Sequence, residues 1–179
     1  MSNISKAYLK LVDLAGKSTT NASRLPATEE IQHLWSGVGF GMGGQRYVAP
    51  LGEVAEILKL PDFTVVPGVK SWVKGIANVR GRLLPIMDLM GFLQRPSQQQ
   101  LRNRRLLVID EGELYSGLLV EELYGMQHFP VDELVEYVED DHQETQPFIQ
   151  GGYRKEDELW KVFSLRSIAS NPDFLHVAL

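Results

Sequence analysis

The sequence contains no cysteine, and this absence removes several kinds of chemistry. Without thiols the chain cannot form disulfide bonds, a thiolate nucleophile or a cysteine-ligated zinc site. Long apolar runs are also missing, since none approaches the roughly 20 residues needed to cross a bilayer. The N-terminus, MSNISKAYLKLVDLAGKSTT, has no continuous apolar region and indicates no signal peptide. These absences favour a cytoplasmic protein that is not inserted directly into a membrane.

Recognisable catalytic motifs are lacking too. The sequence has no G-x-S-x-G motif and no P-loop. Its four histidines are scattered, without His-x-x-x-His or His-x-x-Glu-His spacing: His33, His128, His142 and His176. His142 lies beside Glu139, Asp140 and Asp141, which leaves a loosely bound metal as an alternative to a solvated acidic loop. We predict no catalytic residues, no metal and no enzymatic activity.

A dinucleotide motif occurs in an unsuitable context. The stretch GFGMGG, from Gly39 to Gly44, fits the spacing G-x-G-x-x-G. That motif binds a pyrophosphate only where a strand turns into a helix. Here glycine alternates with large apolar residues, and the chain continues into a second apolar run, which predicts a β-hairpin. We therefore predict no nucleotide cofactor.

Charge is segregated along a chain whose net charge is −5. Eight lysines and arginines lie between Lys70 and Arg105, with Asp88 as the single acid. Twelve acids and no lysine or arginine lie between Leu106 and Glu144. The two regions are either complementary faces for a partner or a second copy, or two solvated surfaces. Apart from Trp72 and Phe92 the basic region lacks interleaved aromatic residues, and the whole chain is acidic, so no nucleic-acid partner is predicted.

The first 35 residues differ in character from the rest. Their apolar residues recur at helical spacing, which predicts an amphipathic helix: Ile4, Tyr8, Leu11, Val12 and Ala15. Thr28 is a candidate N-cap for a short second helix that includes Leu34. We assign residues 1–35 to an N-terminal helical extension, which either packs on the main body or docks on another protein. Residues 36–179 form the main domain.

The main domain has a β pattern. About ten short apolar segments are separated by turn residues at intervals of 8–12 residues. This spacing predicts a mainly β fold of barrel type with short helices.

The stretch Gly75 to Leu93, GIANVRGRLLPIMDLMGFL, is the strongest single prediction. It contains two apolar strands joined by a turn at Arg80-Gly81, and Asp88 then suits the N-cap of a short helix. Pro85 lacks an amide hydrogen, so its strand is expected to lie at an edge or to be bulged there. An apolar hairpin that presents Arg80 and Arg82 at its tip suggests a protein-binding surface. An ordinary core hairpin with solvated tip charges is the alternative.

Four stretches carry a family resemblance: FGMGGQRYVAPLGEVAEIL, PGVKSWVKGIANVRGRLLPIMDLMGFL, RLLVIDEGELYSGLLVEELYG and the weaker ELWKVFSLRSI. In order and spacing they resemble the CheW family of chemosensory adaptors, and within it the branch associated with type IV pili and twitching motility. The resemblance spans residues 38 to 168. It implies two SH3-like five-stranded β-barrel lobes packed side by side. It also implies a non-enzymatic scaffold that couples a methyl-accepting receptor tip to the regulatory domain of a CheA-type histidine kinase, at membrane-associated receptor arrays.

The resemblance also implies a set of receptor- and kinase-binding residues: Val54, Glu56, Gly75, Val79 and Arg80. Val54 would supply an apolar contact and Glu56 a charge, while Gly75 would let a receptor helix approach closely. Arg80 would anchor a carboxylate, because its planar guanidinium directs two hydrogen bonds at once. Two other functions remain open. One is a flagellar adaptor or kinase-regulatory module of the same fold, and the other is a metal-binding enzyme using His142.

Overall fold

Two antiparallel-rich sheets form the fold in the computed structural model, which describes residues 33–112 and 114–179. Sheet A has five strands: β1 Leu34–Met42, β2 Gln45–Pro50, β9 Glu122–Pro130, β10 Ile149–Lys155 and β11 Glu158–Phe163. Their order is β10-β11-β2-β1-β9. The β11–β2 pair is parallel and the other pairs are antiparallel. Sheet A therefore joins strands from both ends of the described chain.

Sheet B is built from the middle of the chain. Its six strands are β3 Glu56–Lys59, β4 Phe63–Thr64, β5 Val73–Val79, β6 Arg82–Asp88, β7 Arg105–Glu111 and β8 Leu114–Val120. They lie in the order β3-β7-β8-β6-β5-β4. The strands β3 and β4 are thus the two edges. The prediction of a mainly β fold with two groups of strands is confirmed, but one group has six strands rather than five because Phe63–Thr64 pairs with β5.

Within residues 33–112 and 114–179, three short α-helices accompany the sheets: α1 Leu89–Phe92, α2 Leu165–Ala169 and α3 Pro172–Leu175. Each begins at a polar cap. The side chain of Asp88 accepts a hydrogen bond from the amide of Gly91, and Ser164 and Asn171 cap the other two helices in the same way. The predicted N-cap at Asp88 is confirmed. Among the residues that the structure describes, no helix is long and apolar enough to cross a membrane.

The largest apolar core lies between the two sheets. Phe40, Tyr47 and Phe163 come to it from sheet A, and Leu107 and Leu118 from sheet B. A second cluster lies on the opposite face of sheet B and includes Ala77, Leu84, Ile86, Leu106, Val108 and Leu119. A third lies on the opposite face of sheet A and includes Phe129, Tyr153 and Trp160. Each sheet therefore buries both of its faces.

Alternating glycines in β1 make room for the third cluster. A Cβ at Gly39 would lie 2.7 Å from the ring of Trp160, and one at Gly41 would lie 2.9 Å from the hydroxyl of Tyr124. The large residues between these glycines, such as Phe40, point into the core between the sheets. The GFGMGG stretch is thus a strand that ends in a hairpin turn, as the alternation predicts. Aromatic rings occupy the space that glycine leaves.

Three predictions need correction or fall outside the described residues. Leu34 belongs to β1 rather than to a short helix. Pro85 lies in an interior strand, yet pairing between β6 and β8 begins only at Ile86, so β6 has one partner strand at Pro85. The predicted amphipathic helix and the rest of the extension up to residue 32 lie outside the described residues.

Candidate functional site

The tip of the β5–β6 hairpin holds Arg80 in an unusual conformation. Arg80 and Gly81 both have positive φ angles, 51° and 83°, as in the two-residue turns that fit the twist of a hairpin. The side chain of Asn78 accepts a hydrogen bond from the amide of Gly81 at 2.9 Å. A positive φ is unfavourable for a residue with a Cβ, and such positions are enriched at functional sites. The turn therefore projects an arginine where glycine or asparagine is the usual choice.

Arg80 forms an ion pair with Glu56. Both terminal guanidinium nitrogens donate to the carboxylate, and the Nη1 to Oε2 distance is 3.1 Å. Glu56 is the first residue of β3, which lies at the far edge of sheet B from the β5–β6 hairpin. The ion pair thus joins two parts of sheet B that are separated by two strands in its order. Sheet B must curl around its apolar cluster for these side chains to meet.

Arg82 forms a second pair beside the first. Its Nη1 donates to Asp110 Oδ2 at 2.9 Å, and its guanidinium lies 3.7 Å from the centre of the Tyr115 ring. Asp110 and Tyr115 are partners in the β7–β8 ladder, at the same end of sheet B as the hairpin tip. Two acids and two cations, Glu56, Arg80, Arg82 and Asp110, therefore line one end of the sheet. We call these four residues the Arg80 site.

Val54 and Val79 are partly buried. Val79 packs against the cluster inside sheet B, and Val54 packs against the core between the sheets. Val54 precedes the strand that begins at Glu56, and its backbone is already extended. Val79 directly precedes Arg80 in the chain, and Val54 lies two residues before Glu56. Part of each side chain remains accessible to a partner.

Gly75 lies away from the hairpin tip. It precedes Arg80 by five residues in an extended strand, which corresponds to about 16 Å. Its φ is 151°, and a Cβ there would lie 2.2 Å from the backbone oxygen of Thr64 and 2.8 Å from the Phe63 ring. The close approach at Gly75 is made by strand β4 of the same chain. Any effect of Gly75 on a partner would therefore act through the position of β4.

The structure brings together some of the predicted residues and adds others. Glu56 and Arg80 are in direct contact, with Val79 adjacent to Arg80, whereas Gly75 is separate. The sequence could not reveal that Asp110 completes the site or that Tyr115 lies against Arg82, because both are about 30 residues from Arg82. The one available signal was the end of an apolar run at Asp110, which places it at a strand end.

The basic segment does not form a free positive face. Within the described chain, Lys74 and Arg104 both bind Asp88, and Arg80 and Arg82 have the partners given above. Arg95 donates to the hydroxyl of Tyr47 at 3.2 Å. Most of the cations between Lys70 and Arg105 thus serve internal contacts. Their pairing removes much of the charge contrast that the sequence shows.

The acids around His142 are engaged in other contacts. Asp140 is buried, and its Oδ2 lies 2.9 Å from both Lys161 Nζ and the Tyr47 hydroxyl. Asp141 accepts a hydrogen bond from Gln45. Over residues 33–112 and 114–179, no group of three or more His, Asp or Glu side chains is placed to hold a metal ion. The alternative of a metal enzyme at His142 therefore gains no support.

Comparisons with known proteins identify the family of the chain. Residues 36–173 match the family described as CheW-like domain. Over 179 residues the chain is 47% identical to Protein PilI of Pseudomonas aeruginosa, with 100% of both chains covered. Chemotaxis protein CheW of Bacillus subtilis is 24% identical over 141 residues, which cover 79% of this chain and 90% of that protein. The crystal structure of scaffolding protein TtCheW from Thermoanaerobacter tengcongensis has a TM-score of 0.64 at 18% identity, covering 74% of this chain and 90% of that one.

Proposed function

The chain belongs to the CheW-like domain family, and we propose that it couples a methyl-accepting receptor to a CheA-type histidine kinase. It is a non-enzymatic scaffold adaptor of the CheW type. Its partners would be the cytoplasmic tip of the receptor and the regulatory domain of the kinase. It would act in the cytoplasm, recruited to membrane-associated receptor arrays. An adaptor of this kind transmits conformational bias through its interfaces, because it makes and breaks no covalent bonds.

The pathway we propose is the one that controls type IV pili and twitching motility. The support is the 47% identity to PilI over the whole of both chains. Identity to the chemotaxis protein CheW of Bacillus subtilis is about half as high and covers less of this chain. A flagellar chemotaxis role on the same fold is the second candidate. Twitching and swimming assays of a deletion strain distinguish the two, because loss of twitching with intact swimming supports the pilus pathway.

We propose that the Arg80 site binds the receptor or the kinase. The observation that carries this proposal is an exposed arginine held at a positive φ, with 76% of its side chain accessible. A guanidinium has five N–H donors, and Glu56 occupies two of them. The remaining donors can bind a partner's carboxylate or backbone carbonyl. Val54, Glu56 and Val79 would contribute neighbouring contacts, and Gly75 would act by positioning β4.

We also propose that each sheet closes into an SH3-like barrel lobe. The ion pair between Arg80 and Glu56 supports closure of sheet B, because it connects the edge strand β3 to the β5–β6 hairpin. Closed lobes would leave small convex surfaces for binding. Small interfaces bind weakly, and an array gains strength when several such contacts act together.

Calorimetric titration tests the assignment of the Arg80 site. The full-length chain is titrated with a receptor-tip fragment and, separately, with the kinase regulatory domain. Arg80→Ala is compared with Arg102→Ala, a matched loss of an exposed arginine outside the site. We expect Arg80→Ala to weaken at least one partner about tenfold or more, as for a central arginine of an interface, with Arg102→Ala unchanged. Equal affinities for wild type and Arg80→Ala would remove Arg80 from both interfaces.

A further inference from the structure

An exposed apolar surface lies between strands β9 and β10, far along the chain from the Arg80 site. It consists of residues 131–137, with the sequence VDELVEY, and we call it the acidic ridge. Its exposed apolar side chains are Val131, Leu134, Val135 and Tyr137. Tyr137 is 73% exposed, although tyrosine normally buries much of its ring. Four exposed apolar side chains within seven consecutive residues suggest that another molecule covers them.

The ridge is anchored at both ends, so this exposure is a property of a fixed segment. The amide of Val131 donates to the carbonyl of His33 at 2.9 Å. Val135 and Gly152 exchange two backbone hydrogen bonds of 2.8 and 2.9 Å. A Cβ at Gly151 would lie 2.6 Å from the carbonyl oxygen of Val135, so glycine permits this close approach. The ridge therefore presents a preformed surface, which lowers the entropy cost of binding.

Buried contacts immediately beyond the ridge fix it further. Val138 is 7% exposed and packs at Gly152. Asp140 is buried and bound by Lys161 and Tyr47. Burial raises the pKa of Tyr47, so its hydroxyl keeps its proton and can act as a donor. The chain thus buries one apolar residue and one acid after the ridge while leaving the ridge itself exposed.

Negative charge is interleaved with the apolar side chains. Asp132, Glu133 and Glu136 are all exposed. No ion pair joins any of them to another residue within the described chain. Anionic lipid surfaces and nucleic acids would be repelled by these carboxylates. A second copy of the chain also carries a net charge of −5, which disfavours self-association at this surface.

We propose that the acidic ridge is a docking surface for a cationic amphipathic helix of a partner protein. Such a helix places apolar residues on one stripe and lysine or arginine beside it. The stripe would cover Leu134, Val135 and Tyr137, and the flanking cations would meet Asp132, Glu133 and Glu136. The Arg80 site offers a cation and belongs to sheet B, whereas the ridge offers acids beside sheet A. The proposal therefore adds an acidic binding site to a scaffold whose Arg80 site contains two cations and two acids.

The test measures binding of a defined peptide to the full-length chain. The probe is a fluorescein-labelled 18-residue peptide of leucine and lysine arranged as an amphipathic helix. A peptide of the same composition in a non-amphipathic order is the control ligand. We expect the amphipathic peptide to bind more tightly than the control, and its affinity to fall as salt rises.

Two triple variants remove the same number of charges. D132N/E133Q/E136Q neutralises the ridge, and D62N/E156Q/D157N neutralises three exposed acids elsewhere. We expect the ridge variant to bind the amphipathic peptide about tenfold more weakly than wild type, as for the loss of three surface charge pairs. The control variant should lose less than threefold in affinity. Tyr137→Ala keeps the charge and should weaken binding several-fold. Thermal unfolding of each variant verifies that it is folded.

Three results would overturn the proposal. Equal weakening by the two triple variants would mean that the peptide follows net charge alone. Equal binding of the amphipathic and control peptides would show that the apolar side chains are not used. Sedimentation that reveals a dimer of wild type, lost in D132N/E133Q/E136Q, would assign the ridge to an interface between copies. Failure of the Arg80→Ala titration leaves these outcomes unaffected, because the two sites are measured with different ligands.

Discussion

The guanidinium of Arg80 and the carboxylate of Glu56 form a two-point ion pair that spans the curled end of sheet B. The sequence had suggested these residues as separate binding contacts, 24 positions apart. Because they bind each other, a partner that takes up Glu56 must compete with Arg80. A partner that binds the remaining donors of Arg80 would instead keep the pair intact. The pair can therefore orient Arg80 before a partner arrives.

Exchanging the charges of Arg80 and Glu56 separates the role of the intramolecular ion pair from the role of Arg80 in binding a partner. In R80E/E56R the pair can re-form with reversed polarity, so we expect the free energy of unfolding to remain within about 1 kcal/mol of wild type, as for exposed ion pairs. Binding of R80E/E56R to the receptor tip or kinase domain should be as weak as that of Arg80→Ala, because the partner meets a negative charge where wild type has Arg80. Chemical denaturation and calorimetric titration measure the two quantities. Restored binding in the double variant would show that only the intramolecular pair matters.

Gly75→Ala should destabilise the fold. The new Cβ would overlap the carbonyl oxygen of Thr64, which is backbone and cannot turn away. A loss of about 2–4 kcal/mol is expected from backbone strain together with displacement of β4. Gly52→Ala is the matched control, since a Cβ there meets nothing within 4 Å and the residue has no positive φ. Similar unfolding midpoints for the two variants would contradict the close packing at Gly75.

Asp88 should be a main reason why the stability of the fold decreases at acidic pH. Burial raises its pKa, but the hydrogen bonds and charge of Arg104 outweigh burial, so the pKa of Asp88 lies below its ordinary value. Its stabilising contribution is therefore complete above about pH 4, the usual range for an unfolded aspartate. That contribution is lost as the pH falls through the lower, folded pKa.

Asp88→Asn tests this contribution. Arg104 is only 2% exposed, and losing its anionic partner should cost about 3–5 kcal/mol at neutral pH. The difference from wild type should shrink as the pH falls below about 4 and Asp88 of the wild type becomes protonated. Denaturant titrations at neutral and at acidic pH measure the difference in the free energy of unfolding between Asp88→Asn and wild type. Asp110→Asn, at an exposed pair, is the control and should show a much smaller effect. A pH-independent difference would contradict the assigned role of the Asp88 charge.

Lys161→Met should loosen the loop that follows the acidic ridge. Lys161 and Asp140 form a buried pair, so removing the lysine leaves an unpaired buried carboxylate at a cost of about 3–5 kcal/mol. Hydrogen exchange should speed up at residues 138–146. The double variant D140N/K161M should recover much of the stability, because the buried charge is gone. Equal stabilities of the single and double variants would exclude this explanation.

Local rules accounted for much of the fold. The hairpin at Arg80-Gly81 was predictable because a turn dipeptide separates two apolar runs, and the cap at Asp88 because aspartate precedes a helical turn. The alternation of glycine with Val38 and Phe40 indicated a strand. Each of these features depends on neighbours in the sequence. The binding roles of Val54, Glu56, Gly75, Val79 and Arg80 stay predictions.

Features that depend on distant residues could not be predicted. The sixth strand of sheet B is only two residues long, and Phe63–Thr64 pairs with Ala77 and Ile76 and lies close against Gly75. The interior place of Pro85 depends on parallel pairing with a strand that begins about 30 residues later. The charge segregation suggested two opposed faces, but Arg104 is buried with Asp88 and Arg82 reaches Asp110. Linear charge counts do not reveal such pairs.

The order in which the chain leaves the ribosome matters for sheet A. Its first hairpin, β1–β2, is synthesised early, whereas the β11 strand that flanks it ends at Phe163. At translation rates of about 5–20 residues per second, this hairpin must wait several seconds for its neighbour. Sheet B is complete by Val120 and can form in that interval. Until Phe163 has been synthesised, the nascent chain therefore carries the β1–β2 hairpin without the parallel strand that flanks it in the finished fold.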